Sequence, residues 1–85
     1  MEKSVFSRSY DVFVTSLRDA RTDARVTQVE LAKRLGETQS FVSKCERGER
    51  RLDVVELRAW CRALGTTLVE FSRSLERKLS AAERR

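Results

Sequence analysis

Between Thr27 and Arg51 the chain runs TQVELAKRLGETQSFVSKCERGERR, and this stretch constrains the fold more than any other. Its apolar residues recur at helical spacing, which describes two short amphipathic helices joined by a tight turn. In the first, Leu31, Ala32 and Leu35 share one face, and Gly36 ends the helix. A small Ala32 lets a second helix approach closely, and Gly36 supplies the positive φ that reverses the chain. Thr38 then caps a helix whose inward positions are Val42 and Cys45. Two helices packed in this way form a helix-turn-helix, the unit whose second helix enters the major groove of DNA.

The same punctuation continues on either side. Gly36, Gly48 and Gly65 each follow a helical segment, and the chain contains no proline. Thr27-x-x-Glu30, Asp53-x-x-Glu56 and Thr67-x-x-Glu70 each have the form of a capping box, and two carry a hydrophobic staple, Val26 with Leu31 and Leu52 with Leu57. These signals predict helices over Ser9–Ala24, Gln28–Leu35, Gln39–Arg47, Val54–Leu64 and Leu68–Ala82. Inward stripes follow from spacings of three and four. Phe6, Tyr10, Phe13, Leu17, Ala20 and Ala24 line the first helix. Leu57, Trp60, Cys61 and Leu64 line the fourth, and Leu68, Phe71, Leu75 and Leu79 the last. An all-α fold is expected, as a single domain over residues 1–85 with a small core.

Composition excludes more than it selects. Lys and Arg number 18 against 13 Asp and Glu, a formal charge of +5. Such a balance favours polyanions, but its placement carries more information than its size. No apolar run reaches the length of a membrane span, and the N-terminus lacks a signal-peptide core, so no membrane partner is expected. The expected location is cytoplasmic, in a bacterial or phage setting. Cys45 and Cys61 fall on apolar faces and are expected to stay reduced. Histidine is absent and no CxxC spacing occurs, so no metal and no cofactor are expected. Neither cysteine has a base beside it, which argues against an enzyme. Glu49 and Asp53 sit in an arginine-rich loop and are expected to be solvated or salt-bridged. No aromatic platform supports RNA binding.

The outer face of the third helix is the candidate reading surface. At a hundred degrees per residue Ser40, Ser43, Lys44 and Arg47 point outward while Val42 and Cys45 point in. Gln39 opens the helix, at the end that usually meets the bases. Its amide suits a bidentate pair with adenine, and Lys44 suits guanine O6 or N7. Ser40 and Ser43 suit bases or phosphates. Phe41 lies on the flank, against the core edge or a thymine methyl. Arg47, Arg50 and Arg51, with Gln28 and Thr38, are placed to hold phosphates, assisted by amides at two helix starts.

The pattern TQxELAxRLGxxQSxVSKxExGER resembles the Cro/C1 class of helix-turn-helix regulators, also called the XRE family, over roughly Leu17 to Phe71. The resemblance implies a compact five-helix, lambda-repressor-like domain, here with extended first and last helices. It implies that Gln28 bonds a phosphate and braces Gln39, which reads a base. Ser40 and Lys44 take other base-contact positions, and Arg47 with Arg50 lies at the phosphate border. Arg21 and Glu46 stand where related repressors pair helix one with the recognition helix, fixing its orientation more than adding stability. Arg25 stands where the family often ends helix one with glycine, which predicts a strained or reshaped turn. Cys45 replaces a larger aliphatic residue, and residues 72–85 lie outside the resemblance.

One such domain spans only a few base pairs, so a homodimer on a palindromic operator is expected. Leu68, Phe71, Leu75 and Leu79 are the candidate dimer interface, with packing back onto Phe6, Tyr10 and Phe13 as the alternative and Leu68 and Phe71 core in either case. The expected function is a sequence-specific regulator of transcription on double-stranded DNA, most simply a repressor. The alternatives are an antitoxin-like subunit with a protein partner, or a restriction-modification controller protein.

Overall fold

The computed structural model describes residues 5–84, with side chains from Arg8 onward. Five helices follow in order: α1 Val5–Asp23, α2 Gln28–Leu35, α3 Gln39–Glu46, α4 Val54–Ala63 and α5 Leu68–Glu83. The fold is all-α, as expected. None of these helices is long and apolar enough to cross a membrane. The sequence boundaries hold to within a residue or two, except that α1 begins four residues before Ser9. Phe6 lies outside the described side chains.

One motif ends four of the helices. In a Schellman ending, the amide two residues past the cap reaches back to a carbonyl five residues earlier. The bonds Val26 to Arg21 (3.2 Å), Glu37 to Ala32 (2.9 Å), Glu49 to Lys44 (2.9 Å) and Thr66 to Cys61 (3.0 Å) all have this form. The pivotal left-handed residue is glycine at 36, 48 and 65, whereas the α1 ending uses Arg25, at φ 60°. Of the two outcomes expected at this turn, strain holds and reshaping does not: the turn is kept, with a side chain in a glycine's conformation. It also swings Ala24 out to solvent. Ala24 is not part of the inner stripe, because the helix ends before its position can face the core.

Helix starts conform less completely. Thr27, Thr38, Asp53 and Thr67 each accept a hydrogen bond from the amide three residues on. Only Asp53 completes the box, with the Glu56 carboxylate accepting from its amide at 2.9 Å. Glu30 and Glu70 turn instead to Arg34 and Arg73, as solvent-exposed ion pairs.

The core is small. Leu17, Leu31, Val42, Cys45, Trp60 and Cys61 are fully buried, with Val26, Ala32 and Phe71 completing the cluster. Leu17 comes from α1, Leu31 and Ala32 from α2, Val42 and Cys45 from α3, and Trp60 and Cys61 from α4, so burying one set orders four helices at once. α5 packs along α1 and α4. Phe71 meets Phe13 edge-on at 6.0 Å between ring centroids, and Leu75 packs on the same cluster. Phe71 is 6% exposed, and its ring joins α5 to α1. Leu68 and Leu79 are half-buried.

Candidate nucleic-acid interface

α2 and α3 are each eight residues long and pack on one another, with Gln28 and Gln39 of their first turns within bonding reach. A run of polar bonds stitches that end together. Arg21 of α1 grips Glu46 with two nitrogens, Nε to Oε2 at 2.6 Å and NH2 to Oε1 at 3.0 Å. Its NH1 also donates to the Val26 carbonyl at 2.9 Å. Gln28 of α2 donates Nε2 to Glu46 Oε1 at 3.0 Å. Gln39 of α3 donates in turn to Gln28 Oε1 at 3.4 Å. Glu46 is only 4% exposed, so this is a buried charge that must be paired and hydrogen-bonded to be tolerated. The two conditions are met by one arginine and one glutamine.

Consequently Gln39 projects from a braced position at the open end of α3. Gln39, Ser40 and Lys44 are exposed on the outer face. Ser43 is half-buried, and its hydroxyl accepts a bond from Arg47. Thr38 uses its oxygen to cap Phe41 at 3.1 Å, which leaves the hydroxyl proton available to an incoming acceptor. Phe41 is half-buried against the core, with the Arg50 guanidinium 5.1 Å above its ring.

The three bordering arginines differ in their company. Arg47 pairs with Glu49 at 2.9 Å, and Arg50 holds Glu56 through two nitrogens at 3.1 and 2.8 Å. Hydrogen bonding to these guanidinium groups holds the carboxyls of Glu49 and Glu56 below the usual carboxylate range. Arg51 instead lies over the Tyr10 ring, 4.2 Å from its centroid. Glu49 is thus salt-bridged, while Asp53 serves as the α4 cap. The pairing of Arg50 with Glu56 and the role of Tyr10 were not evident from the sequence. Glu56 was legible only as a capping residue, and Tyr10 only as a core position.

Five helices with a braced helix-turn-helix and a polar outer face on its second helix define a DNA-binding domain of the regulator type. The helix-turn-helix family model matches residues 17–71, more than half of the chain. The chain belongs to this family, the Cro/C1-type or XRE group. No curated protein matches. Among solved structures, an XRE-family like protein from Pseudomonas syringae pv. tomato str. DC3000 is 46% identical, with a TM-score of 0.79, covering 85% of this chain and 88% of its own. The clp gene regulator ClgR from Corynebacterium glutamicum shares the fold at 24% identity and a TM-score of 0.78, over 89% of this chain and 81% of its own. The restriction-modification controller protein C.Esp1396I does so at 21% identity and a TM-score of 0.78, over 94% of this chain and 99% of its own.

Proposed function

We propose that this protein is a sequence-specific repressor that binds a palindromic operator in double-stranded DNA as a homodimer. It acts in the cytoplasm by occupying a site near a promoter. The observation that carries the reading is the bonded run Arg21–Glu46–Gln28–Gln39, which spends a buried charge on orienting one exposed amide. A solvated surface helix has no need of such bracing. In this reading Gln39, Ser40, Ser43 and Lys44 meet base edges in the major groove. Gln28, Thr38, Arg47, Arg50 and Arg51 meet phosphates on either side. Residues 1–85 act as one domain, and the end of α5 beyond residue 71 contributes the dimer contact.

Selection of bound duplexes from a randomised library at near-physiological salt tests the proposal. The expected product is an inverted repeat with half-sites about one turn (~10 base pairs) apart. Absence of any enriched sequence would overturn it. A second reading, an antitoxin-like subunit whose main partner is a protein, is favoured by Val54 and Val55, 63% and 73% exposed at the start of α4. A restriction-modification controller would use the same interface in a different genetic setting.

A further inference from the structure

Three arginines border the recognition helix, and two of them arrive already neutralised. Arg47 and Arg50 each hold a carboxylate of their own chain, Glu49 and Glu56. Each keeps free N–H donors for a phosphate, but the partner carboxylate offsets its charge and repels the phosphate. Arg51 has no carboxylate partner among the described residues, and its guanidinium lies on an aromatic face. A ring face attracts the cation without cancelling its charge, and Arg51 itself stays exposed.

The platform comes from outside the family match. Tyr10 lies before residue 17, in the N-terminal part of α1. Its ring tilts against Phe13 at 5.2 Å, and Phe13 meets Phe71 of α5 edge-on. The Tyr10 hydroxyl is buried with no hydrogen-bond partner among the described residues. A phenol oxygen in that position contributes nothing by bonding, so what the residue supplies here is its ring.

We propose that Tyr10 is a positioning residue, which holds Arg51 preset for a DNA phosphate and makes Arg51 the leading phosphate clamp of the loop after α3. The proposal rests on the DNA-binding reading above. It gives the extended first helix a task in binding that the family-matched residues do not contain.

Fluorescence anisotropy of the full chain with a labelled mixed-sequence duplex about two turns long, over a salt series, tests it. Binding to such a duplex is dominated by phosphate contacts. Arg51→Ala is expected to weaken binding and to make the log–log salt slope shallower by about 0.9, one phosphate contact. Arg47→Ala and Arg50→Ala should each lose less affinity than Arg51→Ala. Tyr10→Leu, which keeps an apolar side chain but removes the ring, should weaken binding about threefold to fivefold with the slope retained. Tyr10→Phe should bind as the parent does. In an Arg51→Ala background, Tyr10→Leu should have no further effect. Tyr10→Leu binding like the parent would overturn the proposal, as would an equal loss with and without Arg51, since that would be a fold effect. Failure of the parent protein to bind the duplex even at low salt would overturn the DNA-binding reading itself. Thermal melts of each variant separate loss of fold from loss of the platform.

Discussion

Arg25 holds its backbone at φ 60°, where a Cβ crowds the following carbonyl, and does so to complete the Schellman ending of α1. The glycine missing at this point was legible from the sequence. That the chain would take the strain rather than reshape the turn was not, because the choice depends on Val26 being buried one residue later. Arg25→Gly is expected to stabilise the protein by about 0.5–1 kcal/mol, the αL relief exceeding glycine's extra unfolded entropy. A rise in melting temperature of roughly 2–8 °C would register it. Cys45 poses a different residue-level question. Its thiol is fully buried, and desolvation pushes its pKa up to about 11 from the ordinary 9.0. The unfolded chain therefore releases this proton first as pH rises, while the folded chain keeps it. Stability from this group is complete below pH 9 and is lost between 9 and 11, by up to roughly 2–3 kcal/mol. Cys61 is shifted upward by burial as well and adds to the same alkaline loss. Urea melts from pH 8 to 11 should show a steeper decline for the parent than for Cys45→Val.

At the scale of elements, four of the five helix starts could be placed from the sequence, since capping is a local interaction between residues three apart. What a cap's acidic partner does next is not local. Glu30 and Glu70 abandon the box for arginines on their own helices, and Glu56 serves two masters, Asp53 and Arg50. The bracing of α3 was legible only through resemblance, because Arg21 and Glu46 are 25 residues apart and no periodicity links them. Its energetics follow from burial. Glu46→Ala strands the Arg21 guanidinium, 12% exposed, without its carboxylate. Breaking a buried pair on one side costs about 3–5 kcal/mol, enough to threaten a domain of this size. Replacing both partners, as Arg21→Met with Glu46→Leu, should recover most of that stability. The double variant is nevertheless expected to select DNA less sharply, since Gln28 loses its acceptor and Gln39 its brace. Chemical denaturation and library selection on the same preparations separate the two effects. Recovery of both stability and selectivity would show that the pair only fills space.

For the whole molecule the question is what the length of α1 and α5 accomplishes beyond residues 17–71. Part of the answer is internal. Tyr10, Phe13 and Phe71 form a run of rings, and Leu75 packs on the core cluster, so the apolar stripe of α5 divides along its length. The sequence shows one stripe of four residues; in the fold Phe71 is buried, and of the half-buried Leu68, Leu75 and Leu79 it is Leu75 that packs on the core cluster. Periodicity cannot make that division, because it records which face is apolar and not how far along the neighbouring helix reaches. Leu79, near the end of α5, is the residue at which an internal role and a dimer role diverge. If two copies meet there about a two-fold axis, binding one inverted repeat requires their recognition helices to lie on successive major grooves, ~34 Å apart. Leu79→Glu would place like charges opposite one another across that axis. It is expected to weaken binding to a full inverted repeat about tenfold or more, a coupling loss of at least ~1.4 kcal/mol. Binding to an isolated half-site should change less than twofold, since each half-site is met by one domain. Sedimentation equilibrium should show the same variant shifted toward monomer. Equal affinity of parent and variant for the full repeat would place the dimer contact elsewhere. The exposed Val54, Val55 and Val69 would then be the surfaces to substitute next.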